Sequence, residues 1–340
     1  MLATPDDPNF PPNLSIFPSS RSKDQTSDSG EGDLDAEQDI ENFGIAGRTW
    51  EAAYLLRRYL SITSSPSSPR SPIFDPPNPL TSSSCARRRI VLEVGSGTGF
   101  LGLSIAPHLL PTDTLVLTDL ENVCPLLEKN LSKLNRPVHS DESDCLIRPL
   151  PWGDSAALDK LRKEDLLPDI ILASDLVYFP FLYPPLLRTL IHLTDSGNPT
   201  LIFSYKIRSL VSEQPFWEAF GRWFNFEAVQ VGEFESKEEE EQCDSIEGRQ
   251  SGEGEAILTQ VSSPRRIWKR FGASWPSQST SISGETDELY VFIAHRWPTT
   301  LGVRVGDSDE DLMLGTNGCE GQLSGGGQFE EMLLSSLEWE

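Results

Sequence analysis

The sequence has few cysteines and no long apolar run. Its five cysteines are odd in number and include no Cys-x-x-Cys pair, which argues against a disulfide framework and a structural zinc site. The four histidines lack metal-ligand spacing, so no metal is expected. No stretch approaches the roughly 18 consecutive apolar residues of a membrane helix, and acids and prolines occupy the N-terminus where a signal peptide would be apolar. We therefore expect a soluble cytoplasmic protein with no membrane partner.

Basic residues are also scarce, since 28 Lys and Arg stand against 52 Asp and Glu, for a formal net charge of −24. The acidic excess lies mainly in residues 1–40, 232–260 and 298–340, so the rest of the chain is nearly neutral. A chain without a basic stripe is not expected to bind nucleic acid. Acidic segments with few aromatic residues are usually solvated. They favour solubility, and a sharper alternative is that they attract a basic protein partner.

Composition divides the chain into segments. Residues 1–39 are rich in Pro, Ser and Asp and are expected to be disordered. One domain is expected over residues 40–297, with a Ser/Pro-rich insertion at 61–86 and an acidic insertion at 232–287. Residues 298–340 are expected to form an acidic tail, in which FEEMLLSSLEW has the pattern of a short amphipathic helix. We expect a monomer.

Strand-like and helical patterns alternate within the expected domain. The apolar runs of strand length are IVLEV (90–94), TLVLTD (114–119), CLIRPLPW (145–152), DIILASD (169–175) and TLIFSY (200–205). Each is followed by a helical pattern, which predicts a doubly wound α/β fold with a parallel sheet. Two more strand-like segments, FEAVQV and ELYVFIAHRW, have no helix of crossover length between them. We expect them to form an antiparallel hairpin at the edge of a seven-stranded sheet.

A glycine-rich turn follows the first of these strands. Gly95, Gly97 and Gly99 separate the strand from a helix, and glycines there let the backbone turn sharply and approach a ligand. Asp119 ends the next strand, where a carboxylate can accept both hydroxyls of a ribose. Gly99 comes one position too early for the dinucleotide pattern, and no Lys-Ser/Thr follows as in a phosphate loop. With Glu93 before the turn, this spacing favours S-adenosylmethionine as the cofactor.

Five motifs follow one another along the chain, over about residues 43–231 and 288–297. They are GRTWEAAYLL, LEVGSGTGFLGL, LTDLENVCPLLEKN, PLPWGD and ASDLVYFPFLYPPLLRTL. Together they resemble methyltransferase family 16, whose members mostly methylate lysines of non-histone proteins. They are most similar to the methyltransferase-like 21 group and to the fungal enzymes acting on translation elongation factor 1-alpha. The resemblance implies a seven-stranded Rossmann-like methyltransferase fold, S-adenosylmethionine as cofactor, and protein-lysine N-methylation, with elongation factor 1-alpha as a candidate substrate.

The resemblance also implies roles for cofactor-binding residues. Trp50 would pack against the methionine end of the cofactor, and Asp119 would hold its ribose. The turn formed by Gly95, Ser96 and Gly97 would contact the cofactor through its backbone. Two of these residues have ordinary structural alternatives, because Trp50 could be a core aromatic residue of an amphipathic helix and Asp119 could cap the following helix.

The remaining candidate residues follow the third and fourth strands. Trp152 would lie along the adenine, where an indole face suits a flat base, although it could also be a core aromatic residue. Ser174 would close the cofactor site. Asp175 and Tyr178 match the family's D-x-x-Y motif at the substrate mouth, and their structural alternative is a plain strand-to-helix turn. We expect Asp175 to orient the lysine ammonium and Tyr178 to shape the channel, without a dedicated general base.

Two other functions stay open at this point. A small-molecule N-methyltransferase of the nicotinamide type usually carries a lid over the acceptor, whereas one short helix and a Ser/Pro insertion before the first strand suggest an open mouth. A non-catalytic scaffold with the cofactor fold would be indicated by a degraded glycine turn or a missing D-x-x-Y motif, and the sequence shows neither.

Overall fold

The structure is a computed structural model that describes residues 8–11, 14–19, 36–61, 72–81, 87–134, 144–234, 266–273, 275–276, 286–316 and 323–337. The strands of the described part are β1 (Ile73–Asp75), β2 (Ile90–Val94), β3 (Thr114–Asp119), β4 (Asp144–Pro149), β5 (Ile170–Ser174), β6 (Thr200–Lys206), β7 (Phe224–Ala228), β8 (Gln230–Phe234), β9 (Arg266–Arg270), β10 (Trp275–Pro276), β11 (Thr286–Asp287) and β12 (Leu289–Arg296).

The α-helices of the described part are α1 (Ile40–Phe43), α2 (Glu51–Ser61), α3 (Phe100–Ile105), α4 (Cys124–Lys133), α5 (Ser155–Lys163), α6 (Tyr183–Leu193), α7 (Leu210–Trp223), α8 (Asp309–Leu314) and α9 (Gln328–Leu337). None of these helices is long and apolar enough to cross a membrane.

Seven strands form the main sheet, in the order β4-β3-β2-β5-β6-β12-β7. The first five in this order pair in parallel, and β12 is antiparallel to both β6 and β7. The doubly wound sheet and the antiparallel hairpin at its edge, both predicted from the sequence, are confirmed. The chain runs outward from β2 through β3 to β4 and then returns to β5 beside β2. Ligands of such sheets bind at this switch point, outside the carboxyl ends of the strands.

Helices cover both faces of the sheet. The central strands β2 and β3 are buried along their whole length, which explains their continuous apolar sequences. One face packs against α5, α6 and α7, with Trp217 and Phe220 fully buried there. The other face packs against α2 and α3 and one side of α4. The sheet therefore has a hydrophobic core on each side.

The C-terminal segment differs from the expected tail. Residues 298–316 and 323–337 pack against α7 and extend the first core. Phe329 is 2% exposed and stacks on Trp217 with ring centroids 4.9 Å apart. The amide of Gln328 donates to the backbone carbonyl of Gly221 at 3.1 Å. The helix expected in this segment is present as α9.

The two insertions meet in a second, three-stranded sheet with the order β1-β8-β9. The Ser/Pro-rich insertion supplies β1, and the acidic insertion supplies β9 and most of β8. Phe74 of this sheet lies edge-on to Tyr59 of α2, with centroids 5.0 Å apart, and to Phe271 at 4.9 Å. Part of each insertion is thus built into the fold, and residues 62–71, 82–86, 235–265, 274 and 277–285 lie outside the described residues.

The described residues of the N-terminal region also pack on the domain, although disorder was expected there. Asn9 and Ser19 are buried. Residues 1–7, 12–13 and 20–35 lie outside the described residues. The domain boundaries after residues 39 and 297 stay predictions.

Candidate functional site

A cavity of about 440 Å³ lies at the carboxyl edge of the main sheet, beside the switch point between β2 and β5. Its volume is in the range of small-molecule and cofactor sites. All candidate residues from the sequence line this one cavity: Trp50, Glu93, Gly95, Ser96, Gly97, Asp119, Trp152, Ser174, Asp175 and Tyr178. The fold thus brings the candidates together, while their individual roles stay predictions.

The glycine turn forms the floor of the cavity between β2 and α3. Gly95, Gly97 and Gly99 have φ values of 63°, 53° and 73°, a left-handed conformation that favours glycine. A Cβ atom at Gly95 would lie 2.8 Å from the side chain of Leu176, and one at Gly97 would lie 3.0 Å from the carbonyl oxygen of Ala46. The turn therefore needs glycine for both its conformation and its close contacts.

Hydrogen bonds from neighbouring elements hold this turn in place. The Ser96 N–H donates to the Thr118 carbonyl at 2.9 Å, and the Thr118 N–H donates to the Ser96 hydroxyl at 3.1 Å. The buried Asn130 amide donates to the Thr98 carbonyl at 2.8 Å. The hydroxyls of Thr98 and Thr49 are 2.9 Å apart and link the turn to the start of α2. Asn130 is not recognisable from the sequence, since nothing local marks an asparagine within a helix as a partner of a distant turn.

Asp119 is oriented by two backbone donors. Its Oδ2 accepts the Gly97 N–H and its Oδ1 accepts the Leu120 N–H, both at 2.7 Å. Each carboxylate oxygen keeps a further lone pair, so the pair can accept two more hydrogen bonds. Burial raises the pKa of Asp119 to about 6, against the lowering effect of the two backbone donors. This geometry fits a carboxylate that holds the two hydroxyls of a ribose.

Glu93 supports the turn from below. Its Oε2 accepts the Gly102 N–H of α3 at 3.1 Å, which ties the end of β2 to that helix. Burial, with a smaller contribution from the nearby Asp119 carboxylate, raises the pKa of Glu93 to about 8, against the lowering effect of hydrogen bonds from Gly102 and Ser96. The Glu93 carboxyl is therefore mostly protonated at pH 7. Direct contact of Glu93 with a cofactor stays a prediction.

Two tryptophans supply aromatic walls. The Trp50 indole N–H donates to the Ile45 carbonyl at 3.0 Å, and the guanidinium of Arg48 lies 4.3 Å from the Trp50 ring centroid. Trp152 is half-buried, and its ring centroid is 6.4 Å from that of Tyr178. Flat apolar surfaces of this kind suit a purine or a sulfonium-bearing chain. The Asp119 carboxylate, the glycine turn and these aromatic walls together fit S-adenosylmethionine.

Asp175 follows β5 directly and has a left-handed backbone, with φ of 61°. Its N–H donates to the Ser204 carbonyl at 2.8 Å. The two terminal nitrogens of Arg208 donate to its two carboxylate oxygens, at 2.7 and 2.5 Å. The Asp175 side chain is almost fully buried, whereas that of Arg208 is about a third exposed. Both oxygens of the carboxylate expected to orient an ammonium thus already have a cationic partner.

Tyr178 lies next to this pair and is half-buried. Burial raises the pKa of the Tyr178 phenol, and the carboxylates of Asp119 and Asp175 raise it further. The phenol therefore stays neutral across the physiological range. Ser174, at the end of β5, is also half-buried in the cavity wall.

Sequence reasoning missed two arginines of the wall, Arg48 and Arg208. Arg208 follows the carboxyl end of β6, and a basic residue directly after a parallel strand at the ligand-binding edge is the signal that could have identified it. Its guanidinium also lies 5.4 Å from the Trp50 ring centroid. In the described part of the chain, no three His, Cys, Asp or Glu side chains come together as a metal ion would require.

Comparison with known proteins shows which family the chain matches. Residues 28–222 match the family described as "Lysine methyltransferase". The protein-lysine N-methyltransferase EFM6 of Saccharomyces cerevisiae is 28% identical over 201 residues, which cover 56% of this chain and 74% of that protein. The protein N-lysine methyltransferase METTL21A of Danio rerio is 28% identical over 175 residues, or 50% of this chain and 65% of that protein. The chain thus spans slightly less than two thirds of the latter relative.

Among solved structures, the precorrin-6y C5,15-methyltransferase of Geobacter metallireducens is similar, with a TM-score of 0.32 and 9% identity. The alignment covers 72% of this chain and 87% of that one. At this TM-score the likeness adds nothing to the strand order described above.

Proposed function

The chain belongs to the lysine methyltransferase family and is an S-adenosylmethionine-dependent methyltransferase, and from this premise we propose that it methylates the side-chain amine of a lysine in a non-histone protein. Translation elongation factor 1-alpha is the candidate substrate. The protein acts as a monomer in the cytoplasm, without a nucleic-acid or membrane partner. A net charge of −24 supports a basic protein as the partner, because charge of this sign attracts it at long range.

One observation carries the proposal. The glycine turn and Asp119, which suit the cofactor, line the same cavity as Asp175 and Tyr178, which suit the acceptor. Methyl transfer needs both reactants in one site, since the nucleophile, the methyl carbon and the leaving sulfur must be aligned. A fold retained only as a scaffold has no need of this combination.

The chemistry divides between the cofactor and the chain. Bound S-adenosylmethionine would supply a methyl group on a positively charged sulfur: a lysine amine that has lost its proton to solvent could attack the methyl carbon, with S-adenosylhomocysteine as the leaving group. Asp119 and the glycine turn hold the cofactor, and Trp50 and Trp152 exclude water along it. A lysine is protonated at neutral pH, so the site must favour its neutral form.

The Asp175–Arg208 pair serves this purpose. The Asp175 carboxylate orients the lysine through the lone pairs that Arg208 leaves free, and Arg208 offsets the negative charge that would otherwise raise the pKa of the amine. The lysine therefore enters a site with little net charge and low polarity, and both burial and a nearby cation lower the pKa of an amine. Tyr178, a neutral phenol beside the pair, shapes the channel without acting as a base.

The test uses tritiated S-adenosylmethionine and a lysate of cells that lack this gene. The full chain and its Asp175→Ala variant are incubated in parallel, and the products are separated on a gel for fluorography. A discrete labelled protein band that the variant fails to produce supports the proposal. Label found only in the low-molecular-weight fraction supports a small-amine acceptor instead. No label anywhere, with measurable cofactor binding, supports a non-catalytic scaffold.

A further inference from the structure

Residues 8–11 and 14–19, here called the N-terminal strap, reach the cofactor cavity from outside the sheet. Pro8, Asn9 and Leu14 of the strap line the cavity together with the glycine turn and Asp119. Nothing in the seven-stranded fold requires this, because the strap precedes α1 and pairs with no strand of the main sheet.

The first anchor of the strap is Asn9, which is 6% exposed. Its carbonyl accepts the Ile45 N–H at 2.9 Å. The neighbouring Gly44 is left-handed, with φ of 55°, and a Cβ atom there would overlap the Asn9 carbonyl. The strap therefore lies directly on the backbone before α2, at a contact that only glycine permits.

The second anchor is Ser19, which is also buried. Its N–H and its hydroxyl donate to the Gln38 side-chain carbonyl, at 3.0 and 3.1 Å, and its hydroxyl lies 3.0 Å from that of Tyr54. The same Gln38 oxygen accepts the Thr49 N–H at 3.2 Å. The strap is thus attached to the segment that carries Trp50.

Between the anchors, Leu14 contributes to the cavity wall while remaining 48% exposed. Behind the strap, Ala46 lies so close to Gly97 that a Cβ atom on that glycine would be 3.0 Å from the Ala46 carbonyl. Residues 44–46 therefore contact both the strap and the glycine turn. The strap forms part of the cavity wall beside that turn, where it would cover one side of a bound ligand.

We infer that the N-terminal strap is part of the cofactor site, where it covers bound S-adenosylmethionine or S-adenosylhomocysteine and slows its dissociation. The inference rests on the proposed function only for the identity of the ligand. Well-formed sites bury most of their ligand's surface, and the strap supplies apolar cover that the sheet edge alone does not.

The test measures S-adenosylhomocysteine binding to the full chain by calorimetry and its dissociation rate by stopped-flow fluorescence. Deletion of residues 1–7 leaves both values unchanged, because it ends before the strap. Deletion of residues 1–19 weakens binding by about tenfold, equivalent to about 1.4 kcal/mol, mainly through faster dissociation. Equal affinity and equal dissociation rates for the two deletions would overturn the inference.

A pair of single substitutions keeps the test decisive if the longer deletion does not fold. Leu14→Ser removes apolar cover from the cavity and weakens binding by about three- to tenfold, in line with the cost of losing a partly buried leucine. Leu334→Ser, at another exposed leucine that lies in α9 outside the cavity wall, leaves binding unchanged. The same affinity for both variants would refute the role of the strap in binding. Failure of the unaltered chain to bind S-adenosylhomocysteine would refute the proposed function instead.

Discussion

The guanidinium of Arg208 donates a hydrogen bond to each carboxylate oxygen of Asp175, at 2.7 and 2.5 Å, in the wall of the cavity. Asp175 directly follows β5 and Arg208 follows β6, so the pair joins the carboxyl ends of two neighbouring parallel strands, at the edge where ligands bind. The bidentate geometry fixes the direction of the carboxylate as well as balancing its charge.

Replacing Arg208 tests this positioning. Arg208→Ala lowers kcat by about 100-fold, because a displaced Asp175 no longer aligns the acceptor, and leaves S-adenosylhomocysteine affinity unchanged. Arg208→Lys restores only part of the rate, since an ammonium cannot form the two parallel hydrogen bonds. Steady-state kinetics with the protein substrate measure kcat, and calorimetry measures the affinity for S-adenosylhomocysteine. Full kcat in Arg208→Ala would exclude a role for the pair.

The glycine turn offers a matched pair of substitutions. Gly95 and Gly197 are both left-handed, with φ of 63° and 78°, so alanine strains the backbone at either position by about 1 kcal/mol. A Cβ atom at Gly95 meets Leu176 and Trp152, whereas one at Gly197 meets nothing within 4 Å. Gly95→Ala therefore abolishes cofactor binding and Gly197→Ala preserves it. Equal binding would show that the turn is not the cofactor site.

The pKa of Asp119 predicts a pH dependence of cofactor binding. Burial raises this pKa to about 6, so the carboxylate becomes protonated as the pH falls through 6 and loses its capacity to accept both ribose hydroxyls. The affinity for S-adenosylhomocysteine should fall by up to about tenfold per pH unit below 6. Asp119→Asn binds weakly at every pH, because its NH₂ group faces a backbone donor. Calorimetry from pH 5 to 8 checks this, and a flat profile for the unaltered chain would contradict it.

Glu93 predicts a pH dependence of stability. Its folded-state pKa of about 8 lies above its ordinary value of 4.5, so the folded state holds the proton more tightly. The stabilisation is complete below pH 4.5 and is lost as the pH rises toward 8. Glu93→Gln keeps an acceptor for Gly102 and removes this loss. In urea unfolding, the stability of the variant relative to the unaltered chain should increase by about 2–4 kcal/mol between pH 5 and 8. If the free energies of unfolding of the two proteins changed equally with pH, the effect of burial on Glu93 would be disproved.

Phe329 tests whether the C-terminal segment belongs to the fold. It is buried against Trp217, so Phe329→Ala should lower the free energy of unfolding by about 3–5 kcal/mol. Leu334→Ala, at a position 63% exposed on the same helix, should change it by less than about 0.5 kcal/mol. A negligible loss in Phe329→Ala would mean that the segment is the expected tail after all.

The sequence predicted the main sheet well because its strands are buried on both faces. Continuous apolar runs such as 90–94 and 114–119 coincide with β2 and β3. The apolar run at 145–152 extends beyond the strand, because β4 ends at Pro149 and the residues after it place Trp152 in the cavity wall. The glycine turn and Asp119 were recognisable because their spacing along the chain reflects the strand–turn–helix geometry.

Contacts between distant segments were not predictable in this way. Average charge and proline content suggested solvated appendages, whereas single residues such as Asn9, Phe74 and Phe329 attach these segments to the domain. Likewise, the partnership of Arg208 with Asp175 depends on two strands being neighbours in the sheet. Such pairings follow from the sheet order, which local patterns do not specify.

Methyl transfer to a lysine of a protein is tested most directly by mass spectrometry of peptides from the protein that the full chain labels in the lysate. We expect one or more methyl groups on the side-chain amine of a lysine, and none when Asp175→Ala replaces the unaltered chain. A methyl group on another residue type, or on a small amine only, would contradict it.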